Sequence, residues 1–176
     1  MLHLALLIVL TQAPAAKGAC ALLTNDDVKR VLSVDVKERK PGTQEARGLL
    51  LQQCFVETGT ARSVSVAVAG PTKSGGRTIT PREFWREQFH ARRDAGDGTR
   101  EGEAARLEAG EGESAARPIA GIGDEAFWSG TRIAGALYVL HGRTFIRVSV
   151  GGVQDERERI EKSRQLAAAA LAHLSK

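Results

Sequence analysis

The residues with the strongest claim on chemistry sit in one short stretch, Gly121-Ile122-Gly123-Asp124-Glu125-Ala126-Phe127-Trp128. The spacing Gly-x-Gly-x-x-Ala is that of a dinucleotide-binding turn, where glycines let the backbone approach a pyrophosphate. The adjacent carboxylates Asp124 and Glu125 would suit acid and base roles. The context argues against both. A dinucleotide turn needs a helix starting within the glycines and an acid about twenty residues further on. Here Phe127-Trp128-Ser129-Gly130 leads into a strand-like run, and Arg143 stands near the acid's place. Neighbours in a strand point to opposite faces, so Asp124 and Glu125 are expected not to share a substrate. A structural reading fits better. Gly121 and Gly123 permit a tight backbone path, with positive φ expected at Gly123. Asp124 supports the turn, and Phe127 or Trp128 enters the core.

Other reactive side chains are dispersed. His3, His90, His141 and His173 are far apart, and no pair has ligand spacing, so no metal and no cofactor are expected. No serine sits in a nucleophile elbow. Phe84, Trp85 and Phe89 form the apolar side of a helix and read as core. Arg82, Arg86, Arg92 and Arg93 on that helix read as a solvated face. The formal charge of +4 comes from basic residues scattered along the chain, which excludes a nucleic-acid surface as the expectation.

Two cysteines remain, and their chemistry depends on compartment. Leu2 to Leu10 is an apolar run too short to span a bilayer, followed by Ala13-Pro14-Ala15-Ala16. Residues 1–16 therefore read as an export signal, although only His3 precedes the run where Lys or Arg is usual. No transmembrane helix is expected in the mature protein. In an oxidising compartment Cys20 and Cys54 would form one disulfide closing a long loop. A rival reading makes Cys20 a lipid-anchored residue. Gly18-Ala19 suits it, but Lys17 stands where such signals carry Leu, so the bridge is preferred.

These residues must be positioned by the elements around them. Thr24 and Asp27 have capping-box spacing before a helix bearing Val28, Val31 and Leu32. Lys37 to Arg47 is polar and contains Pro41-Gly42, which reads as a loop. "LLLQQCFVE" and "RSVSVAVAG" flank Thr58-Gly59-Thr60 as a hairpin, with Val64, Val66 and Val68 on one face. Thr80, Pro81 and Glu83 start a second helix. Asp94 to Ala116 is rich in Gly, Glu and Ala and reads as a flexible loop or poor edge strand. "RIAGALYVL" and "RTFIRVSVG" flank His141-Gly142 as a second hairpin. A long helix follows from Gln154, with Ile160, Ala167, Leu171 and Leu174 on one stripe.

The composition, 42% hydrophobic over 176 residues, suits one domain, residues 17–176. The expected class is α+β: an antiparallel sheet of about six strands flanked by helices, with a faint duplication of a helix-then-hairpin unit. Ser63, Ser65, Arg147 and Ser149 suggest that part of the sheet stays wet.

"CALLTNDDVKRVL", a second cysteine opening a hairpin, "GIGDEAFW", paired strands and a final helix together resemble a family of exported bacterial proteins of unknown function, many of them actinobacterial lipoproteins. The resemblance spans nearly all of the mature chain. It implies a bridge between Cys20 and Cys54 and an architecture similar to the PsbP-like α/β/α sandwich of extrinsic photosystem II subunits. It implies no activity. The expected function is a non-catalytic binding or accessory module of the bacterial cell envelope, acting as a monomer on a protein or envelope component. The alternatives are a secreted hydrolase with a site assembled from distant residues, and a small-ligand sensor using the wet sheet face.

Overall fold

The computed structural model describes residues 18–46, 49–71, 79–90 and 116–174. The proposed signal, residues 1–16, lies outside them, as does the Gly/Glu-rich stretch through residue 115. Seven antiparallel strands form one sheet: β1 (Val36–Ala46), β2 (Leu49–Thr58), β3 (Ser63–Pro71), β4 (Arg117–Pro118), β5 (Glu125–Gly130), β6 (Gly135–His141) and β7 (Thr144–Gly151). Their order is β1-β2-β3-β7-β6-β5-β4. Two meanders thus meet at the β3·β7 seam. Three helices of the described chain flank the sheet: α1 (Asn25–Leu32), α2 (Pro81–Trp85) and α3 (Glu156–Leu174). None is long and apolar enough to cross a membrane.

Strand alternation sorts the side chains into two faces. The first carries Cys54, Val56, Val64, Val66, Trp128, Leu137, Val139, Ile146 and Val148, and it packs under α1 and α3 as the main core. The second carries Phe127, Leu140, Phe145, Ala69 and Leu49 and packs under Trp85 and Phe89 from α2 and the turn after it. Phe127 and Trp128, adjacent in β5, therefore both enter cores, one on each side.

Cys20 and Cys54 form a disulfide, with their Cα atoms 4.9 Å apart. It ties the short 3₁₀ turn Ala19–Ala21 to the buried centre of β2. Arg39 of β1 reinforces this corner, donating to the Cys20 carbonyl at 3.2 Å and the Asn25 amide oxygen at 2.8 Å.

Two sequence expectations need correction, and a third gains residues. Of the stretch Lys37 to Arg47, read as a loop, residues 37–46 are strand, and Arg47 lies outside the described residues. Val36–Ala46 pairs with β2 throughout, apart from an irregularity near its start. It is an edge strand bonded on one side only, where a proline and a polar composition are tolerated. The second hairpin turns at Gly142-Arg143, one residue later than expected, because His141 pairs with Thr144 and Gly142 supplies φ +59°. The expected α3 stripe does face the main core, with Ala167 buried and Ile160, Leu171 and Leu174 half-buried against it, and its most buried line adds Arg159, Ser163, Leu166 and Ala170. Small alanines allow close approach to the sheet. Arg159, 1% exposed, donates to the carbonyls of Val153, Gln154, Thr131 and Arg132. It joins the start of α3 to the β5–β6 turn.

The α1 capping box is complete, and Asp27 also accepts from His173 of α3 at 3.1 Å. Burial alone would raise the Asp27 carboxyl, but the Thr24 hydroxyl and amide and His173 outweigh it and hold it at about 2. A folded-state pKa below the unfolded one gives stability that is present above pH ~4 and lost as pH falls through the folded value. Urea unfolding between pH 5 and pH 2 is therefore expected to show on the order of 2 kcal/mol assigned to this group. In Asp27→Asn that share of the pH slope should vanish. An unchanged slope in the variant would show that other carboxylates carry it.

Candidate functional site

At one end of the sheet the Gly-Ile-Gly-Asp-Glu stretch meets α2. Thr80 caps α2 through its reciprocal bond with Glu83, and Pro81 occupies the first turn, where its missing N–H is harmless. The helix continues as a π-helical turn, Arg86–His90. This places Phe89 against Phe127, stacked at 4.7 Å, and Trp85 against Phe89 at 4.5 Å. Phe84 stacks on Phe145 at 5.4 Å. The aromatic side of α2 is core.

Gly121 and Gly123 adopt φ +76° and +61°. The turn lets the Asp124 amide donate to the Leu140 carbonyl at 2.8 Å and seats Ile122 in the main core. The Asp124 carboxylate accepts from the Gly142 amide at 2.8 Å and faces Arg82 at 3.5 Å, while Arg82 donates to the Gly142 carbonyl at 3.0 Å. Glu125 accepts from Trp85 Nε1 at 3.2 Å and lies 2.7 Å from His90 Nε2. Burial raises the Glu125 carboxyl, but the Trp85 N–H, His90 and the Arg82 charge reverse this and hold it below the usual glutamate value.

The expectation that Asp124 and Glu125 point apart does not describe what they do. Asp124 precedes the first strand residue, so alternation does not govern it, and both carboxylates reach residues of α2 and its continuation. Each is already engaged: Asp124 closes the β6–β7 turn onto α2, and Glu125 ties Trp85 and His90 to the sheet. The arrangement is a clasp.

Its chemistry is limited accordingly. The hydrogen bond of His90 goes to Glu125, and among the described residues no serine, threonine or cysteine hydroxyl or thiol is bonded to it. His141 is exposed at the end of β6, and His173 lies against Asp27. These histidines do not converge. Among the described residues no three His, Cys, Asp or Glu side chains gather as a metal site would require. Arg86 is exposed, whereas Arg92 and Arg93 lie outside the described residues.

Sequence reasoning missed two polar anchors. Glu156 accepts from Trp128 Nε1 at 3.1 Å and from Arg117 at 2.6 Å, fixing α3 and β4 to β5. Arg159 serves the carbonyls described above. Its spacing with Ser163, Leu166, Ala167 and Ala170 was the available signal.

Among the described residues, α2 and the turn after it pack over the part of the second sheet face that bears Leu49, Ala69, Phe127, Leu140 and Phe145. Register aligns the next positions across the strands as Phe127, Tyr138, Arg147, Ala67 and Gln53, and beyond them pairs Ser129 with Ala136 and aligns Ser149, Ser65 and Phe55. Gln53, Ser65, Tyr138, Arg147 and Ser149 are half-buried, and Phe55 is 38% exposed. Gln53 donates to the Ser65 hydroxyl at 3.1 Å, and Ser149 donates to the Gly135 carbonyl at 2.8 Å. Comparison with protein-family models, curated proteins and solved structures finds no match to this chain.

Proposed function

We propose that the protein is a non-catalytic binding or accessory module of the bacterial cell envelope, engaging its partner with the part of the second sheet face that α2 leaves uncovered. One observation carries the reading. The acidic groups best suited to chemistry are engaged in the clasp, while the neighbouring face presents half-buried polar side chains around Arg147. Stable sheet faces are ordinarily covered or strongly charged, so a sparsely polar one is a natural contact surface.

The disulfide supports an oxidising address outside the cytoplasm. The Cys20 sulfur is held in the bridge and is not free for a lipid thioether, which supports an unanchored form. In the same reading the two helix-then-strands units are a duplication, and the sandwich is PsbP-like.

A secreted hydrolase is the second reading, favoured by the 2.7 Å His90–Glu125 contact. Amide NMR of the disulfide-bonded protein, titrated separately with solubilised peptidoglycan fragments and anionic vesicles, tests the binding reading. Shifts are expected at Ser65, Ala67, Arg147 and Ser149. Shifts confined to the α1/α3 side would overturn this choice of face. Ester or glycoside turnover that is lost in Glu125→Gln would instead establish the hydrolase.

A further inference from the structure

We propose that Arg147 is the anion-binding centre of this face, and that it takes the carboxylate of a small organic acid. The inference rests on the binding-module reading and gives it a ligand class.

Arg147 sits in β7, directly between Tyr138 of β6 and Ala67 of β3. Its Nε donates to the Tyr138 hydroxyl at 3.2 Å, with the guanidinium carbon 5.8 Å from the ring centroid. That contact positions the group and leaves its terminal nitrogens without a carboxylate or carbonyl among the described residues. Several other arginines are engaged, and Arg86, Arg132, Arg143 and Arg157 are exposed, whereas Arg147 is half-buried in the sheet. Arg30, Arg82 and Arg117 face carboxylates, and Arg39, Arg62 and Arg159 cap backbone carbonyls. Among the described residues, the strand carboxylates on this face are engaged away from Arg147: Glu125 by Trp85 and His90, Glu57 by Lys37 and Lys40, and Glu38 by Lys40.

The surroundings are rich in donors. Tyr138 accepts from Arg147, so its own O–H is free to donate. Ser65 accepts from Gln53, so its O–H is free as well. Ser65 lies diagonally across the β3·β7 ladder from Arg147, within reach of one ligand at about 7–8 Å between Cα atoms. A guanidinium fork with two hydroxyl donors selects an acceptor-only, planar group. One cation matches one negative charge. A phosphate dianion would need a second, and Lys37 and Lys40 are paired with Glu57.

The test titrates the disulfide-bonded protein with benzoate, propionate and inorganic phosphate, read by amide and arginine Nε–H NMR. Benzoate and propionate are expected to saturate, shifting Ser65, Ala67, Arg147 and Ser149. Arg147→Gln should weaken them at least ~10-fold, and Arg147→Lys and Tyr138→Phe about 3- to 10-fold. Arg143→Gln, in the exposed turn, should bind as wild type. Thermal melts of each variant separate loss of binding from loss of fold, and Ser65→Ala provides a milder probe. Equal binding by a folded Arg147→Gln overturns the proposal, as does phosphate binding more tightly than benzoate, or no saturation by about 50 mM. If envelope fragments still shift this face while simple carboxylates do not, the module reading stands and the ligand class fails. Silence from both removes both.

Discussion

Gly123→Val is expected to destabilise the protein by at least ~3 kcal/mol, lowering the melting temperature by roughly 6–12 °C. Two independent penalties combine. Gly123 has φ +61°, a region a β-branched residue strongly resists. In addition, a Cβ at this position would run into Cγ1 of Val139 and the backbone carbonyl of Leu140. Both residues belong to β6, and both are buried. The strand cannot retreat without losing the Glu125–Leu140 register from which β5 is zipped to it. Gly142 is the natural control. Its φ is +59°, but an added Cβ meets nothing within 4 Å, so Gly142→Ala should cost only about 1 kcal/mol. Urea and thermal unfolding of the two variants measure the difference. A Gly123→Val protein within ~0.5 kcal/mol of wild type would refute the steric argument.

Cys54→Ser is expected to cost roughly 2–4 kcal/mol. The bridge closes a loop between residues separated by 34 positions, for which the chain-entropy account gives about 4 kcal/mol. Serine would also place a hydroxyl at a fully buried position on the main core face. The loss should be uneven. Ala19–Ala21 and α1 reach β2 through the bridge, so hydrogen exchange should rise first there and spread to β1 through Arg39. Thiol alkylation with intact-mass analysis checks the starting point: the native protein should take up no label before reduction. Uniform exchange across all seven strands in the variant would contradict a local role for the bridge.

Both capping boxes were legible residue by residue, because a cap is a local device written within four positions. The valine alternation of β3 and β7 was legible for a similar reason, since one buried face imposes period two. β1 was not. An edge strand with polar residues on both sides shows no period, and Pro41-Gly42 mimics a turn when its single bonded neighbour is unknown. The path through Gly121 and Gly123 could be read from residue type, but its consequence could not. Only the fold brings α2 over β5, turning Asp124 and Glu125 from candidate acids into anchors for Arg82, Trp85 and His90. Arg147 was legible with Ser63, Ser65 and Ser149 as a polar alternate position on a wet part of the sheet. That no described carboxylate faces it is a property of five aligned strands and is invisible along one of them.

The first helix is finished by the last. Lys162 donates to the Val31 carbonyl across 131 positions, and His173 reaches Asp27 across 146. On a translating ribosome α1 therefore waits for α3, for about 10 s at ordinary elongation rates. Through that interval Val28, Val31 and Leu32 lack part of their cover, and the β3·β7 seam has not yet closed. Truncations within α3 should therefore expose this core and yield aggregation in place of a smaller folded product.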